Sequence, residues 1–379
     1  MTTNCHSRSR LAMPAARGGR VLPVVWSAVV GMALYGCGVD ETGGPLGSVA
    51  PRSFGAAGPM IEPRRDHTAT RLSDGTVLVA GGIHVVTAGV EEPLTSAEVF
   101  DPVTGGFRRT GDLPEGRSGH VAALLNTGRV LIAGGGRQSL VLYDPDSGTF
   151  TGSSAGSRIQ RPSSATALRD GRVLLLGDLT FMAEIYDPET DRIVKSLNVG
   201  TRRVQQTATL LNSGDVLIAG GARGLAERFD PDTDRFTAPG GASLQVVRFG
   251  HTATLLQDGR VLLAGGSAEF GGGVFSPVSS TEIFDPDLPS FRGTGSMLTP
   301  RFGHSATRLR DGMVLFVGGA AADAEIYDPN TRVFQFVGGN AGRIRSGATA
   351  TLLNDGRVLV AGGVDEEFLY LENALVYNP

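Results

Sequence analysis

Lysine is almost missing from this chain of 379 residues: Lys195 stands alone among 34 Lys and Arg. Tryptophan occurs once, as Trp26, and cysteine twice, as Cys5 and Cys37. Both cysteines precede residue 38, so the rest of the chain has no disulfide and must draw its stability from packing. No stretch shows the apolar period of a long amphipathic helix. Basic side chains are outnumbered, 34 against 38 acids, which argues against nucleic acid, whose partners present a basic face. Neither a phosphate loop nor a His-Glu-x-x-His metal motif occurs.

Repetition is what the chain has in abundance. A block of the form Arg248-Phe-Gly-His251-Thr-Ala-Thr-Leu-Leu-Gln-Asp258-Gly259-Arg-Val-Leu-Leu-Ala-Gly265-Gly266 recurs seven times, starting at Arg64, Arg117, Arg161, Arg203, Arg248, Arg301 and Arg345. Within each copy an alternating segment precedes an Asp-Gly-type turn, a strong hairpin signal because Gly accepts positive φ without steric cost. A second apolar strand runs into a glycine pair, which the third copy replaces with Gly177-Asp178. A third strand ends in an aromatic before Asp-Pro, as in Glu98-Val-Phe-Asp-Pro102 or Glu325-Ile-Tyr-Asp-Pro329, and Pro stops the ladder there. Six residues after each Asp a large apolar residue opens a fourth strand: Phe107, Phe150, Ile193, Phe236, Phe291 and Phe334. Four antiparallel strands in about 40–50 residues describe a propeller blade.

On these residues the chain from 53 to 379 resembles the kelch-repeat β-propellers. It carries their glycine pair, downstream Tyr or Phe and later aromatic, with Phe where typical kelch repeats carry Trp in the fourth strand. The resemblance implies an all-β, seven-bladed kelch-type propeller with four antiparallel strands per blade. The seventh copy stops at Pro379 without a fourth strand. Phe54 precedes Arg64 at the spacing at which Phe291 precedes Arg301, so an N-terminal strand near residues 53–58 is expected to close the last blade and remove a free sheet edge. The central propeller of galactose oxidase is similar. That enzyme's copper site needs a Tyr–Cys cross-link, and past the leader this chain has only Cys37, so the copper site is not expected.

Residues 1–36 read as a bacterial lipoprotein signal peptide: Arg8, Arg10, Arg17 and Arg20, a short apolar run from Val21 to Tyr35, then Leu34-Tyr35-Gly36-Cys37. Cys37 is the expected lipidation site and 37–52 a flexible tether. Cleavage there would leave 30 basic against 38 acidic side chains, a formal charge of −8. Gly38 lacks the Asp that marks inner-membrane retention, which favours the outer membrane, periplasmic or surface-exposed.

Two sets of residues are candidates for function. The seven repeat arginines, Arg64 and Arg345 among them, either ring a channel and bind anions bidentately or pair with the recurring Glu98, Glu184, Glu227, Glu282 and Glu325. His67, His120, His251 and His304 share one repeat position, with Ser164, Gln206 and Ala348 in the other copies. Equivalent positions around a ring do not converge on one ion, so a repeated hydrogen bond is expected and no metal site is assigned. The second set breaks the repeat. Insertions between the second and third strands, at 83–96, 267–280 and 364–373, fall on one face. They carry Glu91, Glu92, Asp365, Glu366, Phe368, Tyr370, Phe270 and Phe275. Aromatics beside acids suit a sugar, a cationic peptide or a calcium-assisted contact. The expected function is an envelope-anchored, monomeric binding module for a protein or glycan, without catalytic residues or an obligate cofactor. The alternatives are a carbohydrate-active enzyme of epimerase or lyase type and a purely structural envelope protein.

Overall fold

The computed structural model describes residues 52–379 apart from 88, 222–223, 270–272, 320 and 339–343. Residues 1–36, expected to be a signal peptide, Cys37 and nearly all of the expected tether lie outside the described residues, as does Phe270.

The described chain is all strand and turn. It forms seven four-stranded antiparallel sheets, with two small accessory sheets, in a β-propeller-like arrangement. The first sheet takes Thr68–Arg71, Val77–Ala80, Ala97–Asp101 and Gly106–Arg109 in spatial order. Each first strand packs beside the first strand of the next sheet, and Thr349–Leu352 returns to Thr68–Arg71. The second strand of every sheet is buried along its whole length, because both of its faces meet neighbouring sheets. One core cluster joins Leu78 and Val99 of the first sheet to Val130, Ile132 and Tyr143 of the second. Full burial of each such Val or Leu contributes about 1.5–3 kcal/mol.

Two turn chemistries repeat at one rim. The Asp-Gly-type turns hold their glycines at φ 82–101°. In the Asp-Pro turns the Asp Oδ1 accepts the N–H two residues on, as from Val103 to Asp101 at 2.8 Å and Asn330 to Asp328 at 2.8 Å. Aromatic pairs lock third strand to fourth, with ring centroids 4.7–5.0 Å apart from Phe100–Phe107 to Tyr327–Phe334. The last sheet takes its fourth strand from the other end of the chain. Ser53–Ala56 pairs antiparallel with Ala374–Asn378, and Phe54 meets Tyr377 at 5.2 Å. Ser53 lies opposite Asn378, so the chain enters this sheet at the Asp-Gly and Asp-Pro rim. There Arg52 reaches Met313 Sδ at 3.6 Å.

His251 explains both glycines of the pair. A Cβ on Gly220, at φ 72°, would stand 2.2 Å from the Cε1 of His251 in the next sheet, and a Cβ on Gly266 would stand 2.9 Å from the Cβ of His251 in its own sheet. The pair lets adjacent sheets close on one imidazole.

The third copy departs from its expected alignment. From Arg to turn glycine it is one residue shorter than the others, and the structure takes up the difference ahead of the first strand. Gln160 O accepts the Gly136 N–H, the kind of bond that Arg117, Arg248 and Arg301 carbonyls make elsewhere. Ser164 sits opposite Leu176 as Thr68 sits opposite Ala80, so it occupies the Thr position and not the His position. Arg161 is displaced to the surface, and Ile159 fills the interior at 3% exposure.

Candidate functional site

The recurring charges are internal. Arg64, Arg117, Arg203, Arg248, Arg301 and Arg345 are among the largest fully buried side chains of the molecule. Each donates through Nη1 to the carbonyl of the first glycine of its own pair, at 2.7–3.1 Å. Four also bind the sheet's recurring Glu: Arg64–Glu98, Arg248–Glu282 and Arg301–Glu325 at 2.8 Å, and Arg203–Glu227 at 3.1 Å. The same carboxylates hold the connection leading into the sheet. Glu98 accepts the N–H groups of Ile61 and Glu62, and Glu325 those of Leu298 and Thr299. Arg64 and Arg345 are therefore out of a ligand's reach, and a scaffold role replaces the anion-binding candidate role for both. Burial lowers the pKa of Arg64, and Glu98 partly opposes the shift. Arg345 has Leu375 where five of the other sheets have Glu. It binds Asn373 instead, and burial pulls it down to about 10.

The histidines bridge sheets. His Nε2 meets the threonine hydroxyl of the preceding sheet in His67–Thr349 and His120–Thr68 at 2.9 Å, His304–Thr252 at 3.0 Å and His251–Thr207 at 3.1 Å. Burial first, and then the repeat arginines, push all four down to about 3, so they are neutral at pH 7.

The three insertions share a geometry. Each begins by pairing with the residue that follows the repeat Arg: Ile83 with Arg65, Ser267 with Phe249 and Val364 with Ser346. All three lie on the face opposite the Asp-Gly and Asp-Pro turns. The first is the hairpin Ile83–Thr87 and Val90–Pro93. It meets the third insertion, as expected for neighbours. Tyr370 Oη donates to Glu91 Oε1, Arg65 Nη2 donates to the same oxygen at 2.9 Å, and Arg65 Nη1 to Asp66 at 2.6 Å. The Arg65 guanidinium also lies 5.8 Å from the Tyr370 ring centroid. The hydrogen bonds from Tyr370 and Arg65 hold Glu91 below the usual carboxylate range. Burial and the Glu91 bond push Tyr370 up.

Other candidates separate. Glu92 and Glu366 are exposed, and Phe368 is 76% exposed. Asp365 is buried at 4%: its Oδ1 accepts the N–H groups of Glu367 and Leu369 at 3.0 and 2.9 Å. It shapes the turn and does not face solvent as expected. Phe275 is half-exposed and joins Phe249 edge-on at 5.4 Å, and Phe249 joins Phe302 at 5.9 Å. Arg65, Phe249 and Phe302 were not singled out from sequence. Their signal was variation beside a constant: the position after the repeat Arg holds Arg, Ser, Pro, Val or Phe, and that position rims the loop face.

Two other features carry no chemistry of their own. Gly152-Ser-Ser154-Ala-Gly156 has the Gly-x-Ser-x-Gly spacing but lies on the strand Thr149–Gly156, where Ser154 bonds the Asp191 carbonyl, not on a strand-to-helix elbow. On the turn rim a cleft of about 400 Å³ is lined by Asp258, Asp311 and Asp328. Its carboxylates already accept backbone N–H groups of their own turns.

No protein-family model matches the sequence, and no curated protein does. Among solved structures the chain is similar to a fungal alcohol oxidase of the AA5 family in complex with copper, with a TM-score of 0.68 and 18% identity over 85% of this chain and 75% of that one. At that identity the likeness is one of fold, a galactose-oxidase-like arrangement of β-sheets.

Proposed function

We propose that the chain is a seven-bladed kelch-type propeller, lipid-anchored through Cys37 at the bacterial outer membrane, that binds a protein or glycan through the face carrying the long loops. One observation carries this reading. Of the sixteen large apolar side chains exposed among the described residues, eleven lie in the loops of that face, including Leu225, Val247, Val274, Phe275, Phe368 and Leu369. Large apolar surface gathered on one face marks an interaction site.

The likeness to a copper alcohol oxidase favours a second reading, a carbohydrate-active enzyme. The donors do not fit a copper site of that kind. The four repeat histidines are committed to threonine hydroxyls, and no group of three or more His, Cys, Asp or Glu among the described residues is placed to hold a metal. An epimerase or lyase stays the alternative.

The test is a glycan array and an envelope pull-down with detergent-solubilised full chain, with and without calcium. Wild type is compared with a variant in which residues 84–92 and 365–370 are replaced by short Gly-Ser links. Saturable binding lost in the variant is the expected result. Binding retained in full by the variant would place the ligand elsewhere. An enzyme would instead lose turnover by orders of magnitude from one carboxylate change, such as Glu92→Gln, while still binding.

A further inference from the structure

The loop face is divided by chemistry around the circuit of sheets. Over the fifth and sixth sheets aromatic and aliphatic side chains dominate, with the exposed Glu269 opposite Phe275. Phe249, Phe275 and Phe302 form a chain of edge-on rings, flanked by Val274 at 60% exposure and Leu298 at 50%. Over the seventh and first sheets acids stand among the exposed Val90, Phe368 and Leu369. The insertions 83–96 and 364–373 carry six acids and no Lys or Arg. Arg65 engages Glu91, whereas Glu92, Glu366, Glu367 and Glu372 are exposed and make no ion pair among the described residues. First strands of sheets five, six, seven and one are successive neighbours, so the two regions form one continuous arc.

We infer that this arc takes a basic, apolar polypeptide segment, whose Leu- or Phe-like side chains rest on the Phe249–Phe275–Phe302 rings while its Lys or Arg side chains meet the acids of the first and third insertions. The inference rests on the reading that the loop face is the binding face and names its ligand class. A neutral glycan suits the arc less well. Sugars stack on the flat face of a ring and need hydrogen-bonding groups beside it. Here the rings pack edge to face on one another, and the exposed groups beside them are the aliphatic Val274 and Leu298 and the acid Glu269, which lies opposite Phe275. Unpaired exposed carboxylates beside apolar surface complement a cationic amphipathic partner, whose association they also speed at low salt.

The probe is a fluorescein-labelled peptide of about twelve residues built from Lys, Leu and Phe, read by anisotropy against the detergent-solubilised full chain. Two counterparts replace Lys by Glu, or Leu and Phe by Ser. Only the first peptide is expected to bind saturably, and its Kd should rise at least about tenfold between low and high salt, because charge attraction is screened. Phe275→Ser, and separately the triple change Glu366→Gln, Glu367→Gln and Glu372→Gln, should each raise Kd about tenfold. Glu189→Gln on the opposite rim should leave it unchanged. All of these positions are exposed, so unfolding curves should match wild type. Equal binding of either counterpart peptide, or an unchanged Kd in Phe275→Ser, would overturn the inference. No peptide binding together with loop-dependent glycan binding would overturn it while leaving the binding face standing. No binding of peptide or glycan that depends on the loops would overturn both.

Discussion

Replacing Arg301 by Met should lower the unfolding free energy by about 3–5 kcal/mol, read from urea denaturation of the full chain. The Arg301 and Glu325 side chains are both 0% exposed. Removing the guanidinium strands a carboxylate in the interior, and breaking a buried pair from one side costs about that much. The same change at Arg345 should cost less, about 1–3 kcal/mol, because Leu375 leaves no carboxylate behind and only polar groups such as Gly362 O and Asn373 lose a donor. The third sheet is a natural control from the other side. Glu184 keeps its bonds from the Ser157 hydroxyl at 2.6 Å and the Arg158 N–H at 3.0 Å, but the displaced Arg161 brings it no guanidinium. Glu184→Gln should therefore cost about 1 kcal/mol, and Glu325→Gln clearly more. Equal costs for Arg301→Met and Arg345→Met would contradict this account.

Acid should unfold the protein between about pH 4 and 5, and the buried histidines should set much of that midpoint. Their folded-state pKa values are about 3, against an unfolded value near 6.5. A histidine whose pKa is depressed by folding contributes its full stability above the unfolded value and loses it as the pH falls from 6.5 toward 3, where the unfolded chain binds the proton and the folded one does not. Each pH unit below about 6 costs about 1.4 kcal/mol per histidine. Four of them lose about 5–6 kcal/mol per unit, comparable with the whole stability of an ordinary domain. Gln206 shows what the position accepts without titrating: its Nε2 donates to Gly177 O at 3.1 Å. Changing all four histidines to Gln should move the acid midpoint down by at least about half a pH unit while leaving stability at pH 8 less affected. A midpoint that did not move would show that other groups govern acid unfolding.

The sheets were legible because their signals are local. Asp-Gly turns, Asp-Pro stops and aromatics at fixed offsets define the strands without tertiary knowledge, and the spacing of Phe54 was enough to expect a strand near 53–58 in the last sheet. The one-residue slip at Arg161 was hidden because the motif letters persist while the count from Arg to turn glycine changes. The site was legible in outline only. Inserted length marked the loop face, but composition could not tell Asp365, turned inward onto two N–H groups, from Glu366, turned outward. The repeat arginines offered two readings with identical letters, and only burial and the glycine carbonyls separate them.

The account holds that what recurs maintains the circuit of sheets and what interrupts the recurrence is available for binding. Calorimetry of the full chain lacking residues 84–92 and 365–370 tests this without knowing the ligand. Apart from Asp365, whose bonds to the Glu367 and Leu369 N–H groups belong to the deleted turn itself, the deleted segments contribute surface contacts such as Arg65–Glu91, worth about 0–1 kcal/mol each, and leave Ser96, Asn373 and the buried arginines in place. The account predicts a Tm within a few degrees of wild type. A fall of more than about 10 °C would mean that the insertions are part of the scaffold, and the assignment of the loop face as the binding face would lose its basis.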